Sequence, residues 1–178
     1  MRAVMVSIRP KWVELIAARK KTLEVRKDMP KRVKTPFVCY IYQTRETWAC
    51  SLLRRIGLEI LADRLENAGG MIAGEFVCDA IMLRCEMANM DLAIQHGCIK
   101  EKDLVKYSAG KELFGWHISD LKIYKTPKKL SEFKRVCINE LRCESCALFS
   151  NNGGTCGNDA LYLKRPPQSW CYVEEAET

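Results

Sequence analysis

Arg2–Ile8 is rich in β-forming apolar residues and predicts a short strand. Pro10 then fits the first turn of a helix, where its missing N–H costs nothing. Trp12, Leu15, Ile16 and Arg19 follow at helical spacing, so Pro10–Arg19 predicts an amphipathic helix. The basic turn Arg19-Lys20-Lys21 leads into Thr22–Lys27. There Leu23 and Val25 alternate with Glu24 and Arg26, the pattern of a strand with one polar face. Asp28–Thr35 reads as a basic loop carrying Pro30, and Pro36–Thr44 as a buried strand.

Glu46–Asn67 carries the clearest helical signal. Trp48, Leu52, Ile56, Ile60 and Leu65 trace one stripe, and Gly69-Gly70 stops it. Met71–Cys85 is strand-rich, with Gly74-Glu75 inside it. Asn89 or Asp91 caps a short helix ended by Gly97, and Glu101–Tyr107 predicts another, closed by Gly110. Phe114–Tyr124 alternates as a strand, Ser131–Phe133 is a turn, Ser150–Gly157 a loop, and Gln168–Glu174 a terminal strand. Short strands with helices set between them predict an α+β fold around a small mixed or barrel-like sheet.

With 178 residues, the chain suits one domain with elaborations and hides roughly 70% of its unfolded surface. Its composition, 48% hydrophobic and 29% charged, excludes a disordered chain. No apolar run approaches the roughly 18 residues of a membrane span, and the opening residues are too soon charged for a signal peptide. The expectation is a soluble cytoplasmic protein. Twenty-nine Lys and Arg against 22 Asp and Glu leave +7, which favours polyanionic partners; a basic surface that aids solubility gives the same balance. Ten cysteines in a chain without a secretory signal are expected to be reduced. Cys39, Cys78 and Cys85 lie in apolar runs and read as core, whereas Cys137, Cys143, Cys146, Cys156 and Cys171 crowd into a loop-rich tail.

The segment Val6-Ser7-Ile8-Arg9-Pro10 followed by a helix, and then Lys20-Lys21-Thr22-Leu23-Glu24-Val25-Arg26, resembles the opening of ASCH domains. Gly74-Glu75-Phe76-Val77-Cys78-Asp79 resembles the family's middle strand. Gly115-Trp116-His117-Ile118-Ser119-Asp120-Leu121 and the string Arg165–Glu175 look like its phage and prophage branch. The resemblance spans residues 1–133 and 160–175. It implies one PUA-like domain over 1–178, a small β-barrel with flanking helices, and leaves a helical insertion at 45–69 and a Cys-rich loop at 137–160 as additions. It also implies RNA or a modified nucleoside bound in a cleft. Some bacterial members are acetylcytidine amidohydrolases that use a Lys and a Thr from the strand after the helix and a Glu from the middle strand. Lys21 and Glu75 fall on the Lys and Glu positions. Glu24 occupies the Thr position, and Thr22 lies two residues earlier.

Glu24 and Arg26 share one strand face. A Lys beside two carboxylates in a barrel mouth supports a proton-transfer network, so Lys21, Glu24 and Glu75 are the candidate catalytic set. The same residues also suit a structural ion-pair network. Ser7, Arg9, Lys11, Arg26, Trp116 and His117 are the candidate ligand contacts. Trp116 is the ring expected to meet a base, while Trp12 reads as core. Cys137-x5-Cys143-x2-Cys146-x9-Cys156 suits a closed structural zinc site, with Cys171 as an alternative to Cys137; a redox pair and unrelated thiols are the competing readings. Three functions follow: an RNA or nucleoside binder, a small amidohydrolase using Lys21 and Glu75, and a phage-encoded interaction protein without a nucleic-acid ligand.

Overall fold

The computed structural model describes residues 2–83, 90–137, 145–151 and 156–176. Strand β1 (Ala3–Ile8) lies inside a six-stranded sheet in the order β7-β4-β3-β1-β9-β8. Its neighbours are β3 (Phe37–Gln43), parallel, and β9 (Trp170–Glu175), antiparallel. The remaining members are β4 (Ile72–Cys78), β7 (Ser119–Lys128) and β8 (Phe133–Arg135). β1 is apolar on both faces because both are covered. Val4, Val6 and Ile8 join one core cluster, and Ala3 and Met5 a second.

Strands β2 (Leu23–Arg26), β6 (Phe114–His117) and β5 (Ile81–Leu83) form a separate three-stranded sheet. Trp116 of this sheet packs into the first cluster with Phe37, Cys39, Ile41 and Phe76 of the larger one. The strand read as continuous over Phe114–Tyr124 therefore divides at Ile118. Its first half pairs with β2 and β5, its second with β4.

Helix α1 (Pro10–Ala17) starts at Pro10, as its sequence predicts. It ends where Arg19 adopts a left-handed φ of 57° and the amides of Lys20 and Lys21 both bond back to the Leu15 carbonyl. That tight exit turns Lys21 inward at the start of β2. Helix α4 (Met90–Gly97) and helix α5 (Glu101–Ser108) lie beside the smaller sheet. Leu104 packs with Leu23 and Val25, which leaves Glu24 and Arg26 on the opposite face of β2.

The helix read over Glu46–Asn67 is two short ones, α2 (Ser51–Arg55) and α3 (Glu59–Glu66). Gly57, at φ 77°, breaks the phase between them. Leu53, Ala62 and Leu65 reach the core, whereas Trp48, Ile56 and Ile60 of the expected stripe are exposed. Glu14 of α1 docks this pair. Its buried carboxylate accepts from the amides of Leu52 (2.8 Å) and Leu53 (3.1 Å) and from the Trp48 indole (3.2 Å). Amides in the first turn of a helix lack intrahelical partners, so this one acid caps α2 from outside. Among the described residues, no helix is long and apolar enough to cross a membrane.

Candidate ligand-binding site

Lys21, Glu24 and Arg26 form a buried row of alternating charge. The three residues are 2%, 6% and 8% exposed, so water screens them little. Lys21 Nζ donates to the carbonyls of Leu23 (2.8 Å) and Gly97 (2.9 Å) and lies 3.3 Å from Glu24 Oε2. An ammonium has three N–H groups, and these partners use all of them. Gly97 ends α4, so the cation also sits at the negative end of a helix. The other carboxylate oxygen of Glu24 holds Arg26 Nη2 at 2.9 Å.

Arg26 extends the row toward the surface. Nη2 also donates to the Ser7 carbonyl (2.6 Å), and Nη1 faces Ser169 Oγ at 3.3 Å. Ser7 Oγ donates to the Pro167 carbonyl (2.6 Å), and the Ser7 amide to that of Ser169 (2.9 Å). The end of β1 and the residues just before β9 thus close over the guanidinium. Arg26 Nε has no hydrogen-bond partner among the described residues, and neither has Trp116 Nε1, although both atoms are buried. Buried donors are nearly always paired, so two unpaired ones on the adjoining strands β2 and β6 mark the place. In the β2–β6 register, Glu24 stands opposite Trp116 and Arg26 opposite Phe114. Two cations and one carboxylate leave this region with a formal charge of +1.

The other expected contacts fall in different places. Trp116 is 0% exposed, packed edge-on against Phe37 (6.1 Å) and Trp170 (5.9 Å). The expectation that it offers a stacking face is corrected: it is core. Trp12, read as core, is only half-buried, with Lys11 Nζ 4.4 Å and Lys21 Nζ 5.3 Å from its ring centre. Arg9 makes an exposed pair with Glu46 at 3.5 Å. His117 is half-exposed and bonds through Nδ1 to Asp79 at 2.6 Å. That bond holds the Asp79 carboxyl below its ordinary range. Thr22 Oγ1 meets His96 Nδ1 at 3.0 Å, at the same end of the sheet.

Glu75 is not brought to Lys21. It stands opposite Tyr40 in the β3–β4 register. Its Oε2 accepts from Tyr124 (2.5 Å), and its Oε1 lies 3.5 Å from Lys122 Nζ. Tyr40 and Tyr124 belong to the second cluster, whereas Cys39, within range of the Glu24 and Arg26 charges, belongs to the first. Glu75 and Glu24 therefore face opposite sides of β3. Burial pushes the Tyr40 phenol up to about 12, with Glu175 and Glu75 adding to the shift.

Cys39 and Cys78 are core, as their surroundings predict. Cys85 and Cys143 lie outside the described residues. Cys137, Cys146 and Cys156 are half-buried free thiols, and Cys171 packs against the second cluster. Among the described residues, no three potential ligands cluster closely enough to hold a metal ion. The sequence reading missed Ser169, Asp79 and Glu14. Ser169 and Asp79 act through partners distant in sequence, and Glu14 looks like one more polar helix position.

Among solved structures, the chain is similar to an ASCH protein from Zymomonas mobilis, with 15% identity and a TM-score of 0.52 over 97% of this chain and 87% of that one. The chain has the ASCH fold. Two variants of the Zymomonas protein match at 15% and 16% identity, each with a TM-score of 0.48 over 97% of this chain and 90% and 88% of theirs. No family model and no curated protein matches the sequence. Within this fold, the buried charge row lies on β2, the strand that follows α1.

Proposed function

We propose that the protein binds RNA or a modified nucleoside in the cleft of a PUA-like barrel, at the Arg26 end of the buried charge row. The observation that carries this reading is Arg26 itself. Its guanidinium is buried and fixed by Glu24 and the Ser7 carbonyl, and its Nε–H has no hydrogen-bond partner among the described residues. A planar cation held in this way suits an oxygen acceptor, such as the carbonyl of a base or a phosphate oxygen. Glu24 and Lys21 behind it set its orientation, and the +7 balance of the chain draws polyanions toward it. Binding is favoured over amide hydrolysis by two features. The N–H groups of Lys21 are all engaged, and Glu75 lies across the sheet; a general base must come within hydrogen-bond reach of the proton it moves.

Titration of cytidine, acetylcytidine, their monophosphates and a short single-stranded RNA, followed by amide chemical shifts, tests the reading. Shifts should map to Ser7, Arg26 and Ser169, and Arg26→Gln should weaken binding at least about tenfold, the loss of one charged hydrogen bond. If none of these ligands binds at low salt, the reading fails.

A further inference from the structure

Cys137 follows the end of β8 by two residues, and Cys171 lies on β9, the strand that pairs with β8. The pairing is antiparallel, with Phe133 opposite Glu175, Lys134 opposite Glu174 and Arg135 opposite Val173. The ladder runs past both ends of that register. The Ala176 amide donates to the Glu132 carbonyl at 2.8 Å, and the Val136 amide to the Tyr172 carbonyl at 3.4 Å. In an antiparallel ladder, hydrogen-bonded pairs alternate with non-hydrogen-bonded ones. Glu132–Ala176 and Val136–Tyr172 are of the first kind, so Arg135–Val173 is of the second. One step on, the register sets Cys137 opposite Cys171 in another non-hydrogen-bonded pair.

The two side chains leave the sheet on the same face. Phe133 and Val173 enter the second core cluster, and Cys171 packs against it. Side chains alternate along a strand, so Cys137, four residues after Phe133, takes that side too. The Arg135 charge reaches the Cys171 thiol, as this phase requires. Opposed residues of a non-hydrogen-bonded pair have Cα atoms about 4.5 Å apart, within the range of about 4.4–6.8 Å that a disulfide spans. Cys137 and Cys171 are free thiols, each half-buried, so a small oxidant can reach them. Cys39 and Cys78, on the neighbouring strands β3 and β4, are both 0% exposed and sealed from solution.

We propose that Cys137 and Cys171 form a reversible disulfide site, closed by a peroxide and opened by a dithiol reductant. On closure each thiol gives up a proton and an electron, and the S–S bond forms. The O–O bond of hydrogen peroxide takes up both electrons and both protons and breaks to leave two waters. A dithiol reverses the step by exchange, becoming the disulfide itself. The bond ties β8, the edge strand of the larger sheet, to β9, which also pairs with β1. It also withdraws Cys137 from any zinc site in the tail, since one sulfur cannot serve both.

The test treats the reduced protein, held in a metal chelator, with about one equivalent of hydrogen peroxide per chain, then alkylates the remaining thiols and digests with trypsin. Cleavage after Arg135 and Arg142 isolates Cys137; cleavage after Lys164 isolates Cys171, because Pro166 protects the bond after Arg165. Expected is residues 136–142 joined to residues 165–178, lighter than the two free peptides by two hydrogens and separated again by dithiothreitol. The same treatment in denaturing urea should instead join Cys137 to its sequence neighbours Cys143 and Cys146, because short loops close most readily in an unfolded chain. The oxidised protein should unfold at a higher urea midpoint than the reduced one, and Cys137→Ser and Cys171→Ser should each abolish that rise. Cys137 linked to Cys143, Cys146 or Cys156 in the folded protein overturns the proposal, as do thiols at 137 and 171 that stay alkylatable while other cysteines oxidise. The same links in urea as in the folded protein also overturn it, because the pairing would then owe nothing to the strand register. A midpoint that fails to rise in the linked protein does so too.

Discussion

Glu24→Gln tests the buried charge row most directly. The substitution keeps the shape of the side chain and one carbonyl oxygen but removes the negative charge between two cations. The carboxylate lies 2.9 Å from Arg26 and 3.3 Å from Lys21, so each pair contributes about 5 kcal/mol of attraction at an effective dielectric near 20. Much of that offsets the cost of burying the charges, and the net loss on removing one partner of such a pair is about 3–5 kcal/mol. The amide can accept from Arg26 or from Lys21 but not from both, and the two cations then repel one another without a counter-charge. In a chain of 178 residues this loss corresponds to a fall in Tm of about 6–20 °C. Urea denaturation should show a lower midpoint with an unchanged slope. In a Lys21→Met background, where one cation is already gone, the same change should cost less, with a coupling of about 0.5–3 kcal/mol. A loss below about 1 kcal/mol in the single variant refutes the placement of Glu24 as the counter-charge of a water-poor site.

Two further outcomes are expected. Burial pushes the Cys50 and Cys78 thiols up to about 12 and Cys171 to about 11, with Cys39 raised as well. Folded values above the unfolded thiol value near 8.5 mean that stability is intact below that pH and declines above it, as the unfolded chain alone loses protons. Urea midpoints should thus fall from about pH 8.5 upward, and fall less steeply in Cys78→Ala; midpoints that stay flat to about pH 10 contradict the burial of these thiols. The second concerns metal. We propose that Cys137, Cys143, Cys146 and Cys156 bind a structural zinc ion around which Cys137, Cys146 and Cys156, apart among the described residues, draw together; its four thiolates leave no position open for substrate. Cys143→Ser should release zinc and speed hydrogen exchange over 137–160 without changing Arg26; purified protein with zinc well below stoichiometric, or with these cysteines disulfide-bonded, excludes the site.

The sequence discloses what is local. β1, α1, β2, β3 and β9 were legible because their signals lie within a few residues: apolar runs, a Pro at a helix start, alternation of Leu23 and Val25 with Glu24 and Arg26. The broken helix was not, because its apolar stripe looks continuous whether or not Gly57 turns the chain. The division at Ile118 was hidden for a different reason. Both halves of Phe114–Tyr124 alternate, and only pairing partners far away in sequence assign them to separate sheets. The same limit separates Glu75 from Lys21. Strand phase gives each a face, but only the packing of one sheet on the other says that those faces diverge. Glu14 was hidden by its chemistry, since its partners lie 34–39 residues further on.

The acid at position 24 organises the buried row. A Thr hydroxyl there would leave Lys21 and Arg26 without a counter-charge, in a place that water barely reaches. Glu24 supplies it, and by bridging the two it fixes Arg26 against the Ser7 carbonyl and beside Ser169. The guanidinium is thereby ordered before any ligand arrives, and a group already ordered gives up little side-chain entropy on binding. Ser7 and Ser169 are bound to each other through their backbones, so Arg26 is framed by β1 and by the residues entering β9 at once.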